Sequence, residues 1–330
     1  MKLLKNLYEI HSPSGKEQKM KRFIKTYINK NIPGCIIETD KTGNMYITKG
    51  DALSFPCIVA HLDQVQRVHS KDFKAIETDE IIFGYSKKNR QIEGIGADDA
   101  NGIWICLKML EKYESLKVVL FIEEEIGCIG SSQADMTFFE DTRYVLQCDR
   151  RGNSDFITTI GWTQICSQEF IDLIPLEQFG YNEETGMMTD VEALKENGLS
   201  VSAINMSCGY YQPHTNEEIT VKSDLLKCQT LVEWIIEHLT DPKYPHSRED
   251  DMDEWDKFYH GYKWDKEEDN DSAKDEELLE LAFLVEDEIY INSEVTGAEL
   301  ESLYGSSFKT LDPSDYEKVL TEIKSTYSGI

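Results

Sequence analysis

The chain has 330 residues, of which 40% are hydrophobic, so it can form one large domain or two smaller ones with a sizeable core. Its formal net charge of −28 argues against binding to nucleic acid or to an anionic membrane surface. No apolar run approaches the roughly 18 residues of a transmembrane helix, and the N-terminal residues lack the apolar stretch of a signal peptide, so we expect a cytoplasmic protein. The eight cysteines form no C-x-x-C pair and fit reduced core thiols.

The N-terminal part of the chain predicts helices followed by strand hairpins. Within residues 1–31, apolar side chains recur at helical spacing on both sides of a Ser-Pro-Ser-Gly break at 12–15. Two hairpins are predicted after this region. Their strands are 36–39 with 45–48, and 73–76 with 81–85.

Four short apolar runs predict strands that are buried on both faces of a sheet. They cover residues 56–60, 117–122, 144–148 and 201–206. Helices are predicted to end near residue 113 and to span about 190–197 and 223–239. Because strands alternate with helices, we expect an α/β fold, a three-layer sandwich around a mostly parallel, mixed sheet.

The stretch 95–102 places Asp98 and Asp99 between glycines, directly before an apolar run of helical spacing. This pattern predicts a loop that enters a helix and holds carboxylates at the helix N-terminus. Taken alone, the pair fits a helix cap with a solvated neighbour as well as it fits a functional site. Other polar residues along the chain favour the functional interpretation.

Potential metal ligands stand in this loop and after the predicted strands. They are His61, Asp98, Glu125, Asp149 and His214. Parallel strands end at one edge of their sheet, where open α/β sheets bind ligands. Imidazole and carboxylate ligands suit zinc, cobalt or manganese, and this set exceeds what one tetrahedral ion needs. It therefore predicts two divalent ions that share one carboxylate, with another carboxylate free to act as general base.

Six stretches occur together in an order that is typical of one enzyme superfamily. They are His11-Ser12-Pro13-Ser14-Gly15-Lys16-Glu17, Ala60-His61-Leu62-Asp63, Gly96-Ala97-Asp98-Asp99-Ala100-Asn101-Gly102, Glu124-Glu125-Ile126-Gly127, Asp149 and Pro213-His214. Over roughly residues 3–240 the chain resembles the co-catalytic zinc exopeptidases and deacylases. Peptidase T-like tripeptidases, glutamyl and deblocking aminopeptidases, and bacterial leucyl aminopeptidases belong to that superfamily. Each motif alone is a weak signal, whereas the ordered set is specific.

The resemblance implies a role for each matching residue. The implied ligands are His61 and Asp149 for one metal ion, Glu125 and His214 for the other, and Asp98 as the bridge between them. Glu124 would be the general base that deprotonates a metal-bridging water, and Asp63 would orient His61. In this superfamily the peptide bond after the bridging aspartate is often cis. Asp149 has the least support of its own, since an acid at a strand end is common.

The chain departs from the superfamily in having no room for a second domain. Many members carry one as a lid or for dimerisation, inserted either between the first histidine and the bridging aspartate or before the last histidine. His61 and Asp98 are too close in sequence for such an insertion, and so are Asp149 and His214. We therefore expect a catalytic domain over residues 1–241 without a lid, and its oligomeric state stays open.

Residues that could select a substrate flank the predicted ligands. Arg150 and Arg151 follow Asp149, and either could hold a substrate carboxylate or belong to a surface pair. Tyr210 and Tyr211 precede His214, and they could line a pocket, stabilise an oxyanion or pack in the core.

The C-terminal part differs from the rest in composition. Residues 241–330 contain 26 acidic and 9 basic residues. The most acidic section, 247–277, is typical of a solvated linker. Helical patterns near 276–290 and 314–326 follow, so we expect an acidic linker and a small helical module over 242–330.

These observations predict a cytoplasmic metallo-aminopeptidase that hydrolyses short peptides from the N-terminus with two divalent ions, zinc or else cobalt or manganese. The same catalytic domain serves carboxypeptidases and N-acyl amino acid deacylases, so fold alone does not decide among them. A non-catalytic binding protein that retains the fold is the third hypothesis.

Overall fold

The computed structural model describes residues 1–161 and 163–247. The linker and helical module predicted for 242–330 lie outside the described residues from position 248 onward. The described helices are α1 (Lys2–Tyr8), α2 (Gln18–Asn31), α3 (Ala97–Lys112), α4 (Ile129–Ser132), α5 (Gln168–Asp172), α6 (Leu176–Phe179), α7 (Asp190–Glu196) and α8 (Lys222–His238), with a 3-10 helix at Met136–Phe139.

The strands belong to two sheets. They are β1 (Cys35–Thr39), β2 (Met45–Lys49), β3 (Phe55–His61), β4 (Phe73–Glu77), β5 (Ile81–Ser86), β6 (Gln91–Glu93), β7 (Leu116–Phe121), β8 (Thr142–Arg150), β9 (Asp155–Ile160), β10 (Thr163–Gln164), β11 (Asn182–Gly186), β12 (Ala203–Ser207), β13 (Tyr210–Tyr211) and β14 (Ile219–Val221). The large sheet has the order β1-β2-β7-β3-β8-β12-β9-β10, with β11 paired to β9. The small sheet has the order β13-β14-β5-β4, with β6 paired to β5.

The four strands predicted to be buried form the centre of the large sheet. Strands β7, β3, β8 and β12 are mutually parallel, so their C-terminal ends lie at one edge. Val59 of β3 is in register with Val119 of β7 and with Gln147 of β8. The outer pairs β1–β2, β2–β7, β12–β9 and β9–β10 are antiparallel. The predicted mixed sheet is confirmed.

Alternate residues of β3 enter two different cores. Ile58 and Ala60 pack in the core that contains α1, α2, α3 and α8. Cys57 and Val59 pack in a second core on the opposite face, together with Val191 of α7. Because both faces are covered, the strand is apolar throughout rather than alternating. This arrangement is the three-layer sandwich expected from the sequence.

The region between β8 and β12 contains more structure than the sequence pattern predicted. Strands β9, β10 and β11 extend the large sheet, and α5 and α6 precede β11. Four of the five residues of β11 are exposed, so this strand has no apolar periodicity by which a sequence pattern could reveal it. Among the described residues, none of the helices is both long and apolar enough to span a membrane.

The loop between β3 and β4 holds a histidine that is kept neutral. The His69 ring stacks between His11 and Phe73, with ring centroids 4.8 and 4.1 Å away. Its Nε2 lies 2.9 Å from the Gly94 carbonyl oxygen, so Nε2–H donates to it. Burial, helped by repulsion from His11, lowers the pKa of His69 to about 4. The folded protein therefore binds this proton less readily than the unfolded chain does.

The depressed pKa of His69 predicts a specific contribution to acid sensitivity. Its stabilising contribution is present above the unfolded pKa near 6.5 and is lost as the pH falls toward about 4. We expect a loss of about 2 kcal/mol, reduced from the full shift because the ring is partly exposed. Urea unfolding in chelator near pH 7 and near pH 4.5 measures it. His69→Phe keeps an aromatic ring for stacking but has no titrating group. The gap between the two proteins, taken as the free energy of unfolding of wild type minus that of the variant, should therefore decrease on acidification. A constant gap would contradict this explanation.

Candidate metal centre

The C-terminal edge of the central strands brings the predicted ligands together. His61 is the last residue of β3, Glu125 follows β7, and Asp149 lies near the end of β8. Asp98 arrives from the start of α3, and His214 from the loop between β13 and β14. Residues that are far apart in sequence therefore meet at one edge because the strands run in the same direction.

Two clusters of potential metal ligands share Asp98. In the first, His61 Nε2 lies 2.9 Å from Asp98 Oδ1 and 3.7 Å from Asp149 Oδ1. In the second, His214 Nε2 lies 3.3 Å from Asp98 Oδ2 and 3.0 Å from Glu125 Oε2. Within each cluster the candidate ligand atoms lie within 4.8 Å of one another. The two oxygens of one carboxylate thus face different clusters, which is the arrangement a bridging ligand requires.

Asp63 connects the first histidine to the turn that carries Glu124 and Glu125. His61 Nδ1 lies 3.1 Å from the Asp63 carbonyl oxygen and 3.4 Å from Asp63 Oδ1. The Asp63 carboxylate accepts hydrogen bonds from Ser14 Oγ at 2.7 Å and from the N–H groups of Glu124 at 3.0 Å and Glu125 at 3.3 Å. Burial raises the pKa of Asp63, but these donors and His61 outweigh it, so the pKa is lowered. Asp63 therefore stays ionised and fixes the direction of the imidazole ring.

Asp99 connects the end of β3 to the first turn of α3 through hydrogen bonds. The Asp98–Asp99 peptide bond is cis, as the resemblance implied. Asp99 Oδ2 accepts the His61 N–H at 3.1 Å, and Asp99 Oδ1 accepts the Gly102 N–H at 2.9 Å. Only 1% of Asp99 is exposed, so it is not the solvated neighbour of a helix cap.

Glu124 stands beside the first cluster. Its Oε2 lies 3.9 Å from His61 Nε2, and Cys128 Sγ lies 3.6 Å from its Oε1. Burial raises the pKa of Glu124 well above its ordinary value, and the negative charges of Asp149 and Asp190 add to this effect, although His61 opposes it. A carboxylate with a raised pKa accepts protons more readily than a solvated one.

Polar side chains that sequence reasoning missed hold Asp149 in place. Gln147 Nε2 donates to Asp149 Oδ2 at 3.1 Å and to Asp190 Oδ2 at 3.3 Å. Asn205 accepts the Asp149 N–H at 2.9 Å and donates to the Asp149 carbonyl at 2.9 Å. Gln147 and Asn205 are polar residues within two mainly apolar predicted strands, the second of which also contains Ser202, and that signal could have found them. Asp190 and Glu218, whose carboxylate accepts the Asp98 N–H at 3.1 Å, carry no comparable signal.

The predicted substrate-binding residues are placed differently from one another. The Tyr210 hydroxyl is buried and lies 3.4 Å from Asp149 Oδ1, so it belongs to the site. Tyr211 instead donates to Asp224 at 2.7 Å, and Arg150 pairs with Asp155 at 3.2 Å. The partners of Tyr211 and Arg150 are therefore carboxylates that belong to neither ligand cluster.

The charges of the two clusters fit divalent cations. Burial raises the pKa of Asp149 and of Glu125, and the charge of Asp98 raises both further. Hydrogen bonds to Asp98 and Glu125 raise the pKa of His214 to about 11. Across residues 1–161 and 163–247, no lysine or arginine pairs with these carboxylates or with Glu124. Glu125 Oε1 is buried without a hydrogen-bond partner. The donor set and its excess negative charge therefore match the chemistry of metal ligands.

Comparison with known proteins places the fold among peptidases. No protein-family model and no curated protein sequence matches the chain. Aminopeptidase PepT from Bacillus cereus ATCC 10987 is similar in structure, with a TM-score of 0.59 and 14% identity over 72% of this chain and 97% of that one. A tripeptidase from Staphylococcus aureus subsp. aureus Mu50 gives 0.57 and 14% over 72% and 96%, respectively. An aminopeptidase from the archaeon Desulfurococcus kamchatkensis gives 0.56 and 17% over 75% and 95%. The chain therefore has the fold of these peptidases, which confirms the fold that the resemblance implied.

Replacing Gly102 by alanine tests the support that Asp99 provides. Within a helix, alanine is normally about 1 kcal/mol more favourable than glycine. Here a Cβ atom would lie 2.4 and 2.5 Å from the two carboxylate oxygens of Asp99. We therefore expect Gly102→Ala to destabilise the metal-free protein by about 2 kcal/mol in urea unfolding.

A second background supplies the control for this substitution. The Asp99→Ala variant lacks the obstructing carboxylate. In that background Gly102→Ala should increase the free energy of unfolding, as a glycine-to-alanine substitution within a helix ordinarily does. The same destabilisation in both backgrounds would show that Asp99 is not its cause.

Proposed function

We propose that the chain is a metal-dependent aminopeptidase that removes N-terminal residues from short peptides. The observation that carries the proposal is the position of Asp98, whose two oxygens lie 2.9 Å from His61 Nε2 and 3.3 Å from His214 Nε2. A further carboxylate, Glu124, stands beside the first cluster and is not needed as a ligand. The fold shared with two aminopeptidases and a tripeptidase supports the reaction class.

The proposed cofactor is a pair of divalent cations, zinc or else cobalt or manganese. His61 and Asp149 would hold one, Glu125 and His214 the other, and Asp98 would contact both. When bound, the cations supply the positive charge that activates a water molecule and polarises a peptide carbonyl. The exposed fraction of the His214 side chain is 54%, so the site is open to solvent on this side.

The protein side chains would perform the proton transfers. Glu124 would remove a proton from the attacking water and deliver it to the leaving amine nitrogen, because its carboxylate stands beside the first cluster, 3.9 Å from His61 Nε2. Asp63 keeps the His61 ring in one orientation throughout. The buried Tyr210 hydroxyl beside Asp149 is the substrate-contact residue that the geometry favours.

A digest of mixed short peptides by mass spectrometry tests the proposal. The pool contains free and N-acetylated peptides, with zinc, cobalt or manganese added in separate reactions. We expect stepwise loss of N-terminal residues from free peptides only, and no cleavage in chelator. We expect Glu124→Gln to bind zinc normally but to cleave at least about 100-fold more slowly, because general acid–base catalysis contributes about that much.

The other outcomes separate the remaining hypotheses. Loss of residues from the C-terminus would indicate a carboxypeptidase, and removal of the acetyl group a deacylase. Full activity in Glu124→Gln would contradict the general-base assignment. No cleavage with any metal would favour a binding protein that retains the fold. A cytoplasmic location stays a prediction from sequence.

A further inference from the structure

Glu218 is a buried carboxylate to which the proposed reaction assigns no role. Only 1% of this residue is exposed. Its Oε2 accepts the N–H of Gly96 at 2.7 Å and the side-chain amide of Gln66 at 3.1 Å. Its Oε1 accepts the N–H of Asp98 at 3.1 Å. All three donors are neutral, so the carboxylate is held by amide dipoles and directed at the backbone of the shared ligand.

The loop that carries Glu218 contacts Asp98 twice. His214, four residues earlier, approaches the Asp98 side chain, with Nε2 3.3 Å from Oδ2. Glu218 holds the backbone N–H of the same residue from the same loop. Glu218 thus fixes the main chain of Asp98, and His214 contacts its carboxylate.

The packing between the two loops leaves little room for adjustment. A Cβ atom on Gly94 would lie 2.5 Å from the Thr215 carbonyl oxygen, so the main chains nearly touch. Gly96 has φ of +63°, and a Cβ atom there would lie 2.9 Å from the Gln64 side chain. The backbone of residues 94–96, which leads to Asp98, is therefore closely packed against its neighbours. This packing keeps the N–H groups of Gly96 and Asp98 within hydrogen-bond distance of Glu218.

We propose that Glu218 is a positioning residue for Asp98. Glu218 accepts the N–H groups on both sides of Ala97 and so fixes the main chain at Asp98. The main-chain position in turn sets the orientation of the Asp98 side chain. Oδ1 then faces His61 and Oδ2 faces His214. Because Asp98 is shared, Glu218 acts on both cation sites at once, an inference that rests on the proposed function. A glutamine would turn an NH2 group toward one of these N–H donors in place of an acceptor oxygen, so one of the hydrogen bonds to the Gly96 or Asp98 main chain would be lost.

Zinc titration of the full chain tests the role of Glu218. Wild type, Glu218→Gln and the control Glu217→Gln are compared by competition with a chromophoric chelator, alongside the melting temperature of each metal-free protein. Glu217 is the exposed neighbour, so Glu217→Gln makes the same chemical substitution outside the network. We expect Glu218→Gln to weaken both zinc equivalents about 10- to 100-fold, as supporting residues of metal ligands typically do. Glu217→Gln should change either affinity by no more than about twofold.

The spectrum of the Co²⁺-loaded protein gives a readout that a purely structural role would not change. We expect Glu218→Gln to alter the visible absorption of both cobalt equivalents, and Glu217→Gln to leave it unchanged. Should Glu218→Gln fail to fold, Gln66→Met removes one donor while keeping the carboxylate. It should produce a smaller fall in both affinities.

Several results would overturn the proposal. A lower melting temperature with both affinities and the spectrum unchanged would make Glu218 a stabilising residue only. Weakening of one equivalent alone would show that it does not act through the shared carboxylate. Wild type that binds zinc while Glu218→Gln binds equally well contradicts this inference and leaves the proposed function intact. Wild type that binds none of zinc, cobalt and manganese contradicts both.

Discussion

Repulsion among buried carboxylates is the constraint on which the rest of this structure depends. Asp98, Asp149, Glu124 and Glu125 converge at one edge of the sheet, and burying charge without compensation is strongly unfavourable. The described part of the chain pairs no lysine or arginine with them. His61 and His214 oppose this repulsion at Asp98, since both lie within 3.3 Å of its carboxylate oxygens. This arrangement of carboxylates favours the divalent cations that we propose for the site.

The parallel sheet and the residues behind it hold this arrangement together. Parallel strands deliver His61 and Asp149 to one edge without any long-range pairing of side chains. Neutral hydrogen-bonding groups then hold several of the carboxylates. Backbone N–H groups bind Asp63 and Asp99, and side-chain amides bind Asp149. The carboxylates are thus held by hydrogen bonds from beneath the site, whereas His214 is exposed to solvent.

The sequence predicts those strands and ligands whose signal lies within one contiguous stretch of residues. The apolar strands and the ligands after them were visible because a buried parallel strand and its polar end are contiguous. Contacts between distant segments were not visible. Glu218 and Asp98 are separated by 120 positions, and nothing near Glu218 in sequence indicates its partner. Arg150 lay beside a ligand, but its side chain turns to Asp155, because strand neighbours point to opposite faces. The exposed β11 lacked any apolar pattern.

Zinc-edge anomalous diffraction from crystals of the full chain grown with zinc tests the shared-carboxylate arrangement most directly. If Asp98 is shared by two cation sites, we expect two anomalous peaks, one between His61 and Asp149 and the other between Glu125 and His214. Each peak should contact a different oxygen of Asp98. A single peak, or peaks bound by other side chains, would contradict the shared-carboxylate arrangement.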